Sequence, residues 1–329
     1  MEMQIRALQM HFIPANVLFF SALIYKEIFI YLYIMENSTE QLITHLKAFA
    51  DPVRLRLLAL CVRGECTVSE LTQVMAQSQP RISQHLKQLC DAGLLERFRD
   101  GHFVYYRVPL GSEQAAHRRR LFALLPADEP VYERDFDKLC ALRAEKGLAV
   151  PEKDDESVRE LHRALIELTV TMPLGDLIDI GSGRGRLLKL LGSRAQRAVG
   201  VDINADSRQL ARAELLLAGV ENCSLRNGDM YELAFVDGEF DTVILDDVLS
   251  DSERPMVAIA EARRILKPGG RLLLLSRIEE RDVPQIEKQL AVWCGAAGMR
   301  LASPRHIPAK NPKWLLAVAS PAGDQSAAA

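Results

Sequence analysis

Gly181-Ser182-Gly183-Arg184-Gly185 follows directly on the apolar run Leu177-Ile178-Asp179-Ile180 and leads into RLLKLLGS, a helix-forming stretch. Glycines between a strand and a helix let backbone approach a ligand closely, beside the unpaired N–H groups of the helix start. About twenty residues further on, the run AVGVDIN ends in Asp202, where an acid can accept from both hydroxyls of an adenosine ribose. Asn227-Gly228-Asp229-Met230 follows a third short strand, CSLRN. A carboxylate at Asp229 can accept from an adenine amino group, and Met230 can pack on the ring. A fourth strand, FDTVILDD, ends in Asp246-Asp247, and ILKPGG turns the chain into RLLLLS. These types and spacings suit an adenosine-bearing ligand. Nicotinamide dinucleotides are the rival, but their fingerprint keeps one more residue between its last two glycines.

A second set of residues suits nucleic acid. The stretch Pro80 to Leu89 reads as a helix with Ile82, Leu86 and Leu89 inside. That leaves Arg81, Ser83, Gln84, His85, Lys87 and Gln88 on other faces. Gln84 can pair with an adenine edge, Arg81 with guanine or phosphate, and Ser83 and Lys87 with phosphate. Gln79 at the helix start can also reach a base. Two strands follow, LLERFRD and HFVYYRV, about an Asp100-Gly101 turn, which is a strong hairpin signal. They carry Arg97, Arg99, His102, Tyr105, Tyr106 and Arg107. Polar residues on one helix face mean little alone; the order of two short helices and then a wing gives the signal its weight.

The elements that must hold these residues are legible around them. Leu42, Ile43, Leu46, Phe49 and Ala50 recur at helical spacing, and Asp51-Pro52 opens a second helix. Thr67 or Ser69 opens a short helix, SELTQVMA. Residues 112–146 read as helix broken near Pro126 and Pro130, and the polar stretch VPEKDDES reads as a linker. From 158 onward helices and strands alternate up to a final antiparallel pair around MRLASPR and KWLLAVAS. The expected divisions are a leading segment 1–34, a winged helix-turn-helix at 35–110, dimerisation and linker helices at 111–157, a Rossmann-like domain at 158–320 and a disordered tail at 321–329.

Bulk properties agree. Apolar residues make up 48% and charged residues 26%, as in ordinary globular chains. The net charge of −3 argues against a generic polyanion binder, but it is uneven. Residues 36–120 hold 12 Lys/Arg against 9 Asp/Glu, and the acidic excess lies beyond them, which fits a local nucleic-acid contact. The six cysteines (61, 66, 90, 140, 223 and 294) show no disulfide spacing and read as reduced thiols of a cytoplasmic protein. Val17 to Ile34 is apolar except for Ser21 and Lys26-Glu27. Two charges at its centre disfavour a membrane anchor. An over-extended start ahead of Met35 is the preferred reading, with an extra helix as the alternative and no stable membrane partner expected.

Residues 42–108 resemble the DNA-binding domain of the ArsR family of bacterial repressors, through FADPVRLRLL, GECTVSEL, QSQPRISQHLKQLCDAGLL and RDGHFVYYRV. The resemblance implies a homodimer reading a palindromic operator in double-stranded DNA, with Gln79, Arg81, Ser83, Gln84, His85, Lys87, Arg99, His102 and Tyr106 on the duplex. Where metal-sensing relatives carry Cys-Val-Cys, this chain has Thr67-Val68-Ser69, so metal sensing is not expected. Roughly 155–320 resemble class I S-adenosylmethionine-dependent methyltransferases. The fold class implied is α/β, a winged helix-turn-helix followed by a seven-stranded sheet ordered 3-2-1-4-5-7-6. The implied ligand is S-adenosylmethionine or S-adenosylhomocysteine, on Asp179, Gly181, Ser182, Gly183, Gly185, Asp202, Ile203, Gly228, Asp229, Met230 and Asp246. Asp246 and Asp247 are the catalytic candidates if methyl transfer occurs. Methyltransferase lids supply aromatic residues, yet 141–175 contain none, with Tyr132 and Phe136 the nearest. That departure favours a ligand-controlled repressor over the alternative, an active small-molecule methyltransferase regulating its own gene.

Overall fold

A computed structural model describes residues 39–109, 115–126, 129–145 and 156–322. The expectations for the leading segment, the linker centre and the tail beyond 322 lie outside them. Among the described residues, no helix is long and apolar enough to cross a membrane.

Helix α1 (Thr39–Phe49) belongs to a unit ending at Asp51. It exposes Leu42, Ile43 and Leu46, neighbours on one helical stripe. From Pro52 onward the chain forms a second compact unit, with no break in packing between the winged helix and the alternating region.

That unit begins with α2 (Pro52–Arg63), β1 (Cys66–Thr67), α3 (Val68–Met75) and α4 (Gln79–Asp91). Thr67 starts α3 through a capping box. Its hydroxyl accepts from the Glu70 N–H at 3.1 Å, and the Glu70 carboxylate accepts from the Thr67 N–H at 2.8 Å. Strands β2 (Glu96–Asp100) and β3 (Phe103–Arg107) form the hairpin, with Gly101 at φ +58° supplying the left-handed conformation of the turn. β1 adds to β3, giving the order β1-β3-β2. Leu57, Leu58, Leu71, Ile82, Leu86 and Leu89 are buried, the positions that helical spacing places inside.

Helices α5 (Ala115–Phe122) and α6 (Pro130–Glu145) connect to α7 (Glu156–Thr171). The alternating region then runs β4 (Asp176–Ile180), α8 (Arg186–Leu191), β5 (Arg197–Asp202), α9 (Ala205–Leu217), β6 (Cys223–Asn227), β7 (Phe240–Asp246), α10 (Pro255–Ile265), β8 (Leu266–Arg277) and α11 (Val283–Ala296). It closes with β9 (Met299–Leu301), β10 (Arg305–Ile307) and β11 (Trp314–Pro321). The sheet order is β6-β5-β4-β7-β8-β11-β10, which is 3-2-1-4-5-7-6 in chain order, with β11 antiparallel to β8. The sheet has eight strands rather than the expected seven, because two short strands, β9 and β10, share the sixth position along β11. The Lys267–Gly270 segment lies within β8 rather than before it, absorbed by a register irregularity against Phe240 and Thr242. Pro321 ends β11, so the last strand reaches the first residue of the expected tail.

Strands β4, β5 and β7 are buried on both faces. One face packs α7, α8 and α9 through Leu161, Leu187, Leu188 and Leu215, the other α10 and α11 through Ile259, Ala262 and Leu290. This is why the parallel strands read as unbroken apolar runs.

Arg143 of α6 is 2% exposed and ties three elements together. It donates to the Glu70 carboxylate at 2.8 Å, to the Glu65 carbonyl at 2.7 Å and to the Arg212 carbonyl of α9 at 3.1 Å. Beside it, Arg143 draws the Glu70 carboxyl below its ordinary range, against the upward push of burial. Arg143→Met leaves a buried carboxylate with only its cap bonds, at an expected cost of about 3–5 kcal/mol. A urea midpoint showing less than about 1 kcal/mol of loss contradicts this role.

Candidate functional site

The glycine turn sits at the C-terminal edge of the sheet, between β4 and α8. The Gly181 and Ser182 N–H groups both donate to the Val201 carbonyl, at 2.7 and 2.9 Å, which pins the turn to β5. Gly181 has φ +74°, and a Cβ there would stand 2.4 Å from Val248 Cγ1, so glycine is required on two counts. At Gly183 (φ +51°) a Cβ would meet nothing within 4 Å, so the turn is open on that side. Asp202 faces the turn. Its Oδ2 accepts from the Gly183 N–H and its Oδ1 from the Asn204 N–H, each at 2.8 Å. Beside it, the apolar side chain of Ile203 is 73% exposed. Gly228 allows the third turn to approach β5, since a Cβ there would fall 2.6 Å from Val201 Cγ1. Asp229 is exposed and accepts from the Tyr231 N–H at 3.0 Å. Met230 is half-buried against the sheet core.

A polar cluster lies deeper. Asp179 is 2% exposed, and its Oδ1 has no hydrogen-bond partner. Arg186, at the start of α8, donates to Asp246 Oδ2 at 2.7 Å, while Arg186 Nη1 and Asp246 Oδ1 are buried and unpartnered. Burial, reinforced by the Asp246 charge, pushes the Asp179 carboxyl well above its usual range despite Arg186. Burial raises Asp246 too, opposed by Arg186. Asp247, the other catalytic candidate, has φ +57°, and its Oδ1 accepts from the Arg277 N–H at 2.9 Å. It therefore supports the end of β8.

These residues fit an adenosyl amino acid. Asp202 suits the ribose diol and the turn gives it close access. Asp179 and Asp246 offer unpartnered oxygens to an ammonium, and the free Arg186 Nη1 suits a carboxylate. Sequence reasoning missed Arg186 because an arginine after a glycine turn reads as a solvated helix start. It also missed Trp314. The Arg186 guanidinium lies 5.1 Å from the Trp314 ring centroid, so an aromatic reaches the cluster from β11, far along the chain. Phe136 instead lies under Arg63, 4.4 Å from its guanidinium, and packs α6 on α2.

On the winged helix, Gln79, Arg81, Gln84 and Lys87 are exposed along α4, and Ser83 and His85 are half-buried. Gln88 accepts from Arg54 at 2.7 Å. Arg99 and His102 are exposed on the wing, as is Arg97. Tyr106 is not available to DNA. It is 7% exposed and pairs with Cys66 of β1, so its ring turns inward. Tyr105 is buried as well, and Arg107 is spent on Glu65 at 2.7 Å and on Glu96. The Thr67 hydroxyl, at one thiolate position of metal-sensing relatives, is taken up by the capping box. The hydrogen bond with Cys66, reinforced by burial, raises the Cys61 thiol well above its ordinary value.

Residues 51–97 match the model of the bacterial regulatory protein arsR family, and residues 178–274 match a methyltransferase domain model. The chain joins an ArsR-type helix-turn-helix to a methyltransferase-type domain. An arsenic resistance transcriptional regulator of Pseudomonas putida is 49% identical over 63 residues, 19% of this chain and 49% of that protein. An arsenite methyltransferase of Aquipseudomonas alcaligenes is 36% identical over 130 residues, 36% of this chain and 37% of that one. The N-methyltransferase NodS of Bradyrhizobium japonicum, solved with S-adenosylhomocysteine, superposes with a TM-score of 0.44 at 18% identity, over 55% of this chain and 97% of that one. The chain spans about half the length of the curated relatives it matches.

The raised carboxyls set the pH dependence of ligand capture. A ligand ammonium favours ionised Asp179 and Asp246, whose raised carboxyls stay protonated to higher pH than ordinary ones. Affinity for S-adenosylhomocysteine is therefore expected to rise with pH through their folded-state range, with proton release on binding. Calorimetry in two buffers of different ionisation enthalpy checks this; proton uptake, or affinity falling with pH, contradicts it.

Proposed function

We propose that this chain is a DNA-binding transcriptional repressor whose operator affinity is set by S-adenosylhomocysteine or S-adenosylmethionine on its methyltransferase-like domain. The observation that carries the reading is the pairing, in one chain, of an open polar recognition helix with a glycine turn pinned opposite Asp202. As in ArsR-type proteins, the working form is taken to be a homodimer on a palindromic operator, in the cytoplasm. Leu42, Ile43 and Leu46 on α1 are apolar surface suited to such pairing.

A second reading, methyl transfer to a small acceptor, is favoured by Asp246 at the C-terminal end of β7, close to the glycine turn. When bound, S-adenosylmethionine would supply an electrophilic methyl group. The protein's part would be to hold the ligand's amino-acid end and exclude water. Asp246 Oδ2 accepts from Arg186 at 2.7 Å, an ion pair that a ligand's amino-acid end can join but that proton removal by this carboxylate would have to break. This ranks the sensor first.

The test is a titration of each adenosyl ligand into the protein, with and without DNA from its own promoter. The expected result is an operator Kd changed several-fold by one ligand, with negligible turnover. Failure of both ligands to bind removes the sensor reading. Asp202→Ala is expected to weaken ligand binding by about tenfold or more, through loss of a charge-assisted pair to the diol. Arg81→Ala with Gln84→Ala is expected to weaken operator binding while sparing ligand affinity, read by gel shift and calorimetry.

A further inference from the structure

The wing is held from behind by the helix that leaves the ribose-binding turn. Asp100, at the wing tip, is buried between two arginines of α9. Arg208 donates to it through Nε at 2.9 Å and also through Nη2, and Arg212 pairs with it at 2.7 Å. The next residue, Gly101, lies against the start of α9, where an added Cβ would contact Ala205 Cβ at 3.8 Å. Arg212 also spans Glu65, the Leu225 carbonyl at 3.0 Å and the Tyr105 ring at 4.1 Å. Strand β2 therefore has two working faces. Phe98 and Asp100 turn toward the methyltransferase-type fold, while Arg97 and Arg99 alternate outward and are exposed.

The same Arg208 reaches the ligand site. Its Nη1 donates to the Asp202 carbonyl at 2.8 Å. The Asp202 carboxylate in turn receives the Gly183 and Asn204 N–H groups. A ribose diol donating to that carboxylate must share it with those two backbone groups, which redistributes bonds at the turn where α9 begins. From the glycine turn to the wing tip there are three polar contacts in series: Gly183 to Asp202, Asp202 to Arg208, and Arg208 to Asp100.

We propose that this series is the output of the adenosyl site: ligand on Asp202 resets the wing through Arg208 and Asp100, and so moves Arg97 and Arg99 relative to the recognition helix. The proposal rests on the ligand-controlled repressor reading and names its route. Coupling of this kind is a free energy shared by both sites, so it is reciprocal. DNA must alter ligand affinity by the same factor by which ligand alters DNA affinity.

The experiment measures operator Kd with and without saturating S-adenosylhomocysteine, and ligand Kd with and without operator duplex. It uses the full chain and the variants Asp100→Asn and Asp100→Ala. For the unmutated protein both ratios are expected to agree, at about tenfold. In the variants the ratios should fall below about twofold, while ligand Kd without DNA stays within about threefold of the unmutated value. Folded variants that keep the full ratio overturn the route and leave the sensor reading standing. A ratio of one in the unmutated protein, with S-adenosylmethionine as well as with S-adenosylhomocysteine, overturns both. Should the variants fail to fold, hydrogen exchange on the unmutated chain decides: ligand must change amide protection across residues 96–107, and an unchanged wing overturns the proposal.

Discussion

Charges that leave water must find each other, and in this protein that constraint fixes how its two functional halves meet. Glu65, Glu70 and Asp100 are buried together with Arg107, Arg143, Arg208 and Arg212. Each carboxylate holds at least one guanidinium, and several arginines also cap backbone carbonyls. Such a set contributes less to net stability than to geometry, because desolvation offsets much of the attraction. What it secures is position, since a small slip would strand a charge in a place water cannot reach. The winged helix is thereby held in one orientation on α9 and β6 by matched charges.

The ligand pocket follows a different logic. Around Asp202 the N–H groups of Gly181, Ser182, Gly183 and Asn204 are all hydrogen-bonded, so the turn is preformed. Around Asp179, Asp246 and Arg186, buried polar atoms stand without partners. One end of the site is rigid and complete; the other holds unmet hydrogen-bonding capacity of both signs, suited to a zwitterion. On the proposed reading, that division would select an amino-acid tail over a plain nucleoside.

The sequence made much of this readable, and the limits have physical causes. The glycine turn and Asp202 were legible because local spacing encodes them: strand, turn and helix succeed one another along the chain, whereas the strand order came only with the resemblance to methyltransferases. The hairpin about Asp100-Gly101 was legible for the same reason. Yet Asp100 looked like a turn residue only, since its partners are more than a hundred positions away. Arg208 and Arg212, four apart, look like a solvated stripe until α9 is seen to be covered. Tyr106 was misjudged because a strand's alternation does not say which face meets the duplex. The sixth strand's division into β9 and β10 depends on pairing to β11, which neither segment announces by itself.

The buried pairs between wing and α9 also make the two halves poor cassettes. A winged helix from another regulator, grafted onto this methyltransferase-type fold, would need an acid at the hairpin tip and another ahead of β1. Lacking them, it would leave Arg208 and Arg212 enclosed and uncompensated. The reverse transplant would bury Asp100 against whatever neutral surface it met. Descent by shuffling of intact modules thus stops at this seam: once the charges were matched, the wing and the helix behind it could change only together.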